Sequence, residues 1–176
     1  VLTATASATA FSCSAANTKQ SAVITIAVPT TGTAPYQYSF DNGVSFSSSN
    51  TLTVNDNGLD QTFTYVVRDA NGCLTAAQNI TLTRLNPPTD LMFSHTPLTC
   101  PTNTSTITIT GVTGGVGVLE YQIIAPSTAI TPYQTSNVFS GLEPGTYTFQ
   151  VIDENDCTYN ESYTIDPLPT VAVNSI

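Results

Sequence analysis

The sequence has few basic residues, no tryptophan and no long apolar run. Its 176 residues include three basic ones (Lys19, Arg68 and Arg84), 12 acidic ones and one His, for a formal net charge of −9. Three cations cannot neutralise a run of phosphates, which excludes nucleic acid as a partner and argues against an anionic membrane surface. No apolar stretch approaches the roughly 20 residues that span a bilayer, so we expect no membrane insertion. Because the sequence shows neither an initiator Met nor a signal peptide, we expect a processed product or an excised fragment.

Uncharged polar residues take the place of charged ones. Charged residues make up 9% of the sequence, against about 25% in an ordinary soluble domain. Counting along the sequence gives 32 Thr, 16 Ser and 13 Asn, together 61 of 176 residues. Residues of the hydrophobic set reach 40%, which indicates a folded chain with a hydroxyl-rich and amide-rich surface.

The sequence is a tandem repeat. Cys13 and Cys100 are 87 residues apart, and Cys73 and Cys157 are 84 apart. Three further anchors keep the same register: Val23–Ile26 with Thr106–Ile109, Pro35–Phe40 with Val118–Ile123, and Phe63–Cys73 with Tyr147–Cys157. Two copies of one unit explain this agreement, and repeats of this kind indicate a modular protein.

The proline pair Pro87-Pro88 marks the join between the copies. Prolines favour an extended backbone and suit a short, semi-rigid linker. We therefore predict one domain over residues 1–86 and a second over 87–170. Residues 171–176 resemble the start of a further unit, and we interpret them as the first strand of a truncated third repeat in a longer array.

Short β-branched or aromatic runs, bounded by Gly, Pro, Asn or Asp, recur through each copy and predict strands. In 147–151, Tyr147, Phe149 and Val151 alternate with Thr148 and Gln150, as in a half-buried antiparallel strand. No helical stripe of useful length is present. The pattern predicts an all-β protein of two tandem immunoglobulin-like antiparallel β-sandwich domains, arranged end to end. The predicted strands lie at 2–10, 23–28, 36–40, 63–67 and 80–83, and at 107–110, 121–124, 147–151 and 163–165.

The four cysteines are predicted to form disulfides, because a paired spacing without any CxxC motif and with a single His does not suit a metal site. An autonomous unit is expected to close its own bond, which gives Cys13–Cys73 and Cys100–Cys157. Each bond would close a loop of about 60 residues and stabilise its unit by roughly 4 kcal/mol.

Acidic turns are the candidate metal ligands. Asp153, Glu154 and Asp156 form the best cluster for calcium, which prefers carboxylate and carbonyl oxygens. The competing interpretation is that Asp, Asn and Gly are simply the residues that tight turns require. We expect no cofactor, with calcium as the one candidate.

Catalytic chemistry has little support in the sequence. The single histidine, His95, has no counterpart in the first copy and is interpreted as a surface residue, so we expect no enzymatic activity. A sugar-stacking surface is the alternative use of the aromatic residues, although most occupy core-facing positions. The candidates are Tyr36, Tyr38, Phe40, Tyr121 and Tyr133, of which Tyr36 and Tyr133 adjoin prolines and are expected to be the most exposed.

In the second copy, 142–147 (Leu-Glu-Pro-Gly-Thr-Tyr) runs into Val151, Asp153 and Cys157, and the first copy has Pro-Tyr-Gln-Tyr at 35–38 and Asp-Ala-Asn-Gly-Cys at 69–73. With these motifs, the repeat unit resembles the SprB repeat. The first copy departs from the pattern with Asp-Gln-Thr-Phe at 60–63, and the second has Asp156 where a glycine is expected. The resemblance implies a segment of a very long surface adhesin of gliding Bacteroidetes, exported by type IX secretion and held at the outer membrane as a filament.

Two functions therefore follow from the sequence. The first is a structural or adhesive repeat of a long cell-surface filament. Its partners would be neighbouring repeats of the same chain and, through the full-length adhesin, a surface polysaccharide or an abiotic substratum. The second is an accessory carbohydrate-binding or calcium-binding module of a secreted enzyme.

Overall fold

The computed structural model describes residues 1–100 and 102–169; the predicted first strand of a third repeat, 171–176, lies outside them. The chain divides into two compact units, Val1–Leu85 and Asn86–Ile176. The division falls one residue before the boundary predicted from the linker prolines. In the described part of the chain, no helix is long and apolar enough to cross a membrane.

The first unit is built from two three-stranded antiparallel sheets and a small hairpin. One sheet has the order β1-β4-β6 and the other β5-β7-β8, while β2 pairs with β3. An isolated bridge between Tyr38 and Ser47 extends the second sheet beyond β5. The strands are β1 (Ala6–Ala8), β2 (Ser12–Cys13), β3 (Lys19–Gln20), β4 (Ala22–Ile26), β5 (Gln37–Ser39), β6 (Thr51–Val54), β7 (Gln61–Arg68) and β8 (Gln78–Leu82).

The second unit repeats the same arrangement with longer strands. Its sheets have the orders β9-β10-β12 and β11-β13-β14. The bridge between Tyr121 and Gln134 corresponds to the bridge between Tyr38 and Ser47 in the first unit. The strands are β9 (Asp90–His95), β10 (Ser105–Thr113), β11 (Glu120–Ala125), β12 (Val138–Leu142), β13 (Gly145–Ile152) and β14 (Thr158–Ile165).

Strand order identifies the architecture. In each unit the first, second and fourth main strands form one sheet, and the third, fifth and sixth form the other. These correspond to strands A, B and E and strands C, F and G of the immunoglobulin-like sandwich. The predicted all-β, immunoglobulin-like class is confirmed.

Each unit has its own hydrophobic core between its two sheets. In the first, Ile26 of β4 packs with Tyr38, Tyr65 and Val67 of the opposite sheet. In the second, residues of β10 and β12 meet Tyr147, Phe149 and Val151 of β13. The Phe149 ring lies 5.1 Å from Phe139 and 5.2 Å from Phe93. Thr148 and Gln150 point the other way, as the alternation of 147–151 predicts.

Candidate functional site

The two ends of each sandwich differ in the chain segments that they hold. In the first unit, the entry end contains the chain start, the loop at 30–33 and the β7–β8 turn, because Thr31 Oγ1 donates to the Val1 carbonyl and the Thr33 N–H to Asp69. The exit end contains the β2–β3 hairpin, the end of β6 and Leu85. Asp56 joins these three parts by accepting from Lys19 Nζ at 2.7 Å and from the N–H of Leu85 at 3.4 Å.

The second unit has the same two ends. Its entry end holds the chain from Asn86, whose carbonyl accepts from the Gly115 N–H at 2.7 Å, and the turn that follows β13. Its exit end holds the loop between β9 and β10, where the Thr96 N–H donates to the Thr106 carbonyl, and the last residues of β14.

The cysteines occupy these ends, and the predicted pairing within each unit is wrong. Cys73 and Cys100 are free and exposed, whereas Cys13 and Cys157 are disulfide-bonded. Cys13 and Cys100 belong to exit ends, and Cys73 and Cys157 to entry ends. The strands between the ends set the separation: β7 and β13 have eight residues each.

Eight residues at about 3.3 Å each span roughly 26 Å. A disulfide requires Cα atoms within about 7 Å of each other. The two cysteines of one sandwich therefore cannot reach each other, and each unit has one bonded and one free cysteine instead of a closed pair.

A buried aspartate organises each entry end. Asp69 Oδ1 accepts the N–H groups of Asn71 and Cys73, at 3.0 and 2.9 Å, and Oδ2 accepts that of Thr33 at 3.2 Å. Burial opposes ionisation of Asp69, but the backbone N–H groups outweigh it and hold the pKa of the carboxyl below its usual value. Asp69 thus fixes both the turn that carries Cys73 and the neighbouring loop.

Asp153 makes the same three bonds in the second unit. Its Oδ1 accepts the N–H groups of Asn155 and Cys157, both at 2.9 Å, and its Oδ2 accepts that of Val116 at 3.2 Å. We call this set of three hydrogen bonds to Asp69 or Asp153 the aspartate clamp. Because it recurs atom for atom, the aspartate before each cysteine is a structural part of the repeat.

The clamp explains why the predicted calcium ligands do not converge. Asp153 directs its carboxylate oxygens at backbone N–H groups, while Glu154 and Asp156 are exposed and Glu154 lies against Gly117. Among residues 1–100 and 102–169, no group of three or more His, Cys, Asp or Glu side chains is arranged to hold a metal ion. The turn interpretation of this acidic cluster therefore describes the observed contacts.

The remaining candidates make contacts within their own units. His95 is exposed at the exit end of the second unit, where its Nδ1 lies 2.6 Å from the Tyr163 hydroxyl. Tyr38 is buried, and Phe40, Tyr36 and Tyr121 are partly buried against the cores. Tyr133 is 37% exposed, as predicted, but its hydroxyl donates to Gln150 Oε1 at 2.6 Å. Four of the five aromatic candidates, Tyr36, Tyr38, Phe40 and Tyr121, therefore pack in or against the core of their own unit.

Uncharged hydrogen bonds cross the outer faces of both C–F–G sheets. In the second unit the cross-strand pairs are Thr146–Thr164 and Thr148–Ser162, each at 2.9 Å, and Gln150–Asn160 at 2.8 Å. In the first they are Thr62–Thr81 and Thr64–Asn79, both at 2.8 Å. This ladder of hydroxyl and amide groups accounts for the low charge content of the sequence.

An open cleft of about 600 Å³ lies beside the entry end of the first unit. Arg68 is its cation. The guanidinium bonds to Gln37 Oε1 through Nε at 3.2 Å and Nη2 at 2.6 Å, and it lies 4.2 Å from the centre of the Phe46 ring. The rest of the lining consists of Pro35, Tyr36, Ser48, Asp69, Ala70 and Gly72.

No motif in the sequence marks Arg68 as a binding residue. Two signals were available. A basic residue is rare in a chain of net charge −9, and Arg68 ends a strand that pairs with the segment at 35–38. The second unit has Ile152 at this position, opposite Glu120 instead of Gln37, so the basic cleft belongs to the first unit.

No protein-family model matches the sequence, and no curated protein matches it. Among solved structures, a C-terminal 282-residue fragment of intimin, in complex with the intimin-binding domain of the translocated intimin receptor, shares 14% sequence identity with a TM-score of 0.48. The match covers 94% of this chain and 64% of the intimin chain. Cadherin domains 3–6 of protocadherin gamma B2 share 13% identity with a TM-score of 0.29, over 80% of this chain and 40% of theirs.

Two kinds of chemistry remain available on the described surface. Gln37 accepts hydrogen bonds from Nε and Nη2 of Arg68. The remaining N–H groups of the guanidinium can donate to an anionic group in the cleft. Cys73 and Cys100 can form covalent bonds as exposed thiols.

Proposed function

We propose that this chain is a structural and adhesive repeat segment of a long cell-surface filament, without catalytic activity. The observation that carries the proposal is that one sequence repeat builds the same sandwich twice. Each copy has its own core and the same aspartate clamp at its entry end. Units that fold separately on one chain suit an extended array, in which each unit adds length.

An extracellular location is supported by the cysteine chemistry. Cys13 and Cys157 are disulfide-bonded, and disulfides persist mainly in oxidising compartments such as the cell exterior. The resemblance to the SprB repeat supports the finer proposal of a gliding-motility adhesin, exported by type IX secretion and attached at the outer membrane.

The proposed partner of the filament is a surface polysaccharide or an abiotic substratum. In this segment the cleft at Arg68 is the best contact for a polysaccharide, since it combines a guanidinium with the ring of Tyr36, the hydroxyl of Ser48 and Pro35. Sugar sites commonly combine a few polar groups with an apolar surface in this way.

Labelling of intact producing cells tests the proposal. Antibodies raised against residues 1–169 are expected to decorate filaments on the cell surface in immunogold electron microscopy. On immunoblots they are expected to detect a chain far larger than the 18.5 kDa of this segment. Signal confined to the cytoplasm, or a full-length chain with only these two units, would contradict a filament repeat.

The alternative, an accessory module of a secreted enzyme, draws support from the same cleft. It predicts a catalytic domain on the full-length chain. Mass spectrometry of the immunoprecipitated chain separates the two functions, because an array gives further peptides of this repeat and an enzyme gives peptides of an unrelated domain.

A further inference from the structure

We propose that Cys73 and Cys100 form disulfides with neighbouring repeats of the same filament. In this arrangement, the cysteine at the exit end of one repeat bonds to the cysteine at the entry end of the next. The inference rests on the proposed function, because it requires repeats before and after this segment. It adds a covalent lock across the junctions of the array.

The first observation is the position of the free thiols. Cys73 is exposed at the entry end of the first unit, where the chain begins at Val1. Cys100 is exposed in the β9–β10 loop at the exit end of the second unit. In a filament, a preceding repeat would present its exit end to Cys73, and a following repeat would present its entry end to Cys100.

The second observation is the state of the repeat counterparts. Cys157 occupies the same clamped turn as Cys73, with the same bond from its N–H to the preceding aspartate, and it is disulfide-bonded. Cys13 is the counterpart of Cys100 and is also disulfide-bonded. One entry-end cysteine, Cys157, and one exit-end cysteine, Cys13, are therefore bonded in this chain. The matching positions, Cys73 at an entry end and Cys100 at an exit end, are suited to the same kind of bond.

Geometry leaves each free thiol without a partner in its own sandwich. The cysteines of one unit lie at opposite ends, about 26 Å apart along eight-residue strands, and a disulfide forms only when the Cα atoms approach within about 7 Å. Exposed thiols in an oxidising compartment are readily oxidised. A bond to an adjacent repeat meets the distance requirement, because an exit end and an entry end adjoin at each junction. It also consumes thiols that an oxidising compartment would otherwise oxidise.

The reaction is a two-electron oxidation. One thiol of an exit end and one of an entry end lose their two hydrogens as the S–S bond forms. A disulfide oxidant such as oxidised glutathione accepts them and is reduced to two thiols by exchange through a mixed disulfide.

Thiol labelling of the 176-residue chain gives the starting state. Without reductant, a maleimide probe is expected to label Cys73 and Cys100, and after reduction and denaturation all four cysteines. Protection of all four before reduction would overturn the proposal, since it would mean that Cys73 and Cys100 already have partners within the chain.

Complementary variants then test which ends bond. Cys73→Ser retains the exit-end thiol and Cys100→Ser the entry-end thiol, and both residues are exposed, so the variants are expected to fold as the parent does. With oxidised glutathione, each variant alone is expected to remain monomeric on a non-reducing gel. Their mixture is expected to give a dimer that disappears on reduction, and the parent chain is expected to give a ladder of oligomers.

Two results would overturn the proposal. Dimers of a single variant, formed as readily as mixed dimers, would show that any exposed thiol reacts. Absence of mixed dimers, with the labelling pattern intact, would show that the ends do not fit each other. Neither result depends on where the filament is found on cells, so failure here is distinct from failure of the proposed function.

Peptide mapping of the full-length protein from cells completes the test. A non-reduced digest is expected to contain the Cys73 peptide joined to the exit-end cysteine of the preceding repeat. The Cys100 peptide is expected to be joined to the entry-end cysteine of the following one. Free Cys73 and Cys100 in the mature protein would contradict the covalent junction even if the isolated chains dimerise.

Discussion

The Asp41 carboxyl shows how the hydrogen bonds around a single residue shift its pKa. Asp41 lies in the hairpin after β5, where Asn42 and Gly43 adopt φ values of 60° and 83°, as the two central residues of a type I′ turn do. Hydrogen bonds from Ser39 and Ser45, together with the Ser45 N–H, hold the pKa of the Asp41 carboxyl at about 2. A carboxyl whose folded pKa lies below its unfolded value stabilises the folded state above the unfolded pKa.

The first unit is therefore expected to lose this contribution as the pH falls from about 4 to about 2, the interval between the unfolded and folded pKa values of Asp41. Thermal unfolding at successive pH values measures it. Asp41→Asn is expected to show a shallower pH dependence in that interval, whereas Asp166→Asn, which removes one exposed carboxylate from the second unit, is expected to leave the slope unchanged. Identical slopes for all three chains would contradict the role of Asp41.

Tyr147 distinguishes the two units at an otherwise matched position. Its hydroxyl donates to the Glu143 carbonyl at 2.9 Å, the backward bond from strand F known as a tyrosine corner. The first unit has Phe63 here, so a ring without the hydroxyl is compatible with the fold.

Removal of that hydroxyl in Tyr147→Phe is expected to lower the free energy of unfolding of the second unit by about 1 kcal/mol, the usual contribution of one hydrogen bond. Urea unfolding followed by tyrosine fluorescence would measure the change. Tyr133→Phe, which removes an exposed hydroxyl bonded to a side chain, is the matched control and is expected to change stability less. An equal loss in both variants would mean that the corner has no special role.

Arg68 is the residue on which polysaccharide binding by this segment is expected to depend. Arg68→Ile places the second unit's residue at the matched position, and is expected to weaken binding of a uronate oligosaccharide by about tenfold, because it removes a charge-assisted bidentate donor. Calorimetry with a galacturonate tetramer, and with a galactose tetramer for comparison, would measure it. Arg84→Gln removes an equal charge outside the cleft and is expected to bind as the parent does. Equal affinity for the acidic and neutral sugars would rule out the guanidinium as the selective group.

Strands were predictable where burial imposes an alternating pattern. β13 is an example, because Tyr147, Phe149 and Val151 are buried in the core while Thr148 and Gln150 lie on the opposite face. β6 and β12 escaped prediction, since both are short: β6 has only Leu52 and Val54 as apolar residues, and β12 is interrupted by Ser140 and Gly141. Their place in the sheet depends on pairing with β4 and β10, which is information that a local pattern does not contain.

The cysteines and acidic turns show the limits of sequence spacing. Spacing revealed that the cysteines repeat, but the direction of the strands between them decides that Cys13 and Cys73 lie at opposite ends. Likewise, Asp153 has the composition of a metal ligand, while the backbone N–H groups around it occupy its oxygens. Both outcomes depend on tertiary geometry.

Calcium is accordingly expected to have no effect on the melting temperature, either on addition or on chelation with EGTA. The reason is that Asp153 would have to abandon three backbone N–H groups to bind the ion. Asp153→Ala leaves those groups without an acceptor and is expected to destabilise the second unit by about 2–4 kcal/mol. A calcium-dependent rise in melting temperature that Asp153→Ala abolishes would restore the metal interpretation.

The whole molecule consists of two separately packed units joined near Asn86. The repeat and its boundary were readable from sequence because four anchors and a proline pair keep one register. The arrangement of the units relative to each other stays a prediction from the linker, in which Pro87 and Pro88 restrict the backbone to extended conformations.

Small-angle X-ray scattering tests that prediction. An end-to-end arrangement is expected to give an asymmetric distance distribution with a long tail. A symmetric, compact distribution for the parent chain would contradict the end-to-end arrangement.

The few cations of this chain have a consequence for its survival among secreted proteases. Trypsin-like enzymes cut after Lys or Arg in segments that can extend into their active site, usually mobile loop tips. Here Lys19 is paired with Asp56, Arg68 ends a paired strand, and Arg84 donates through its N–H to Asp60 and through Nη1 to the Gly58 carbonyl. Each of the three basic residues therefore makes at least one contact that opposes extension of its segment into such an active site. A filament built from such repeats would remain intact in surroundings where proteins richer in lysine and arginine are digested.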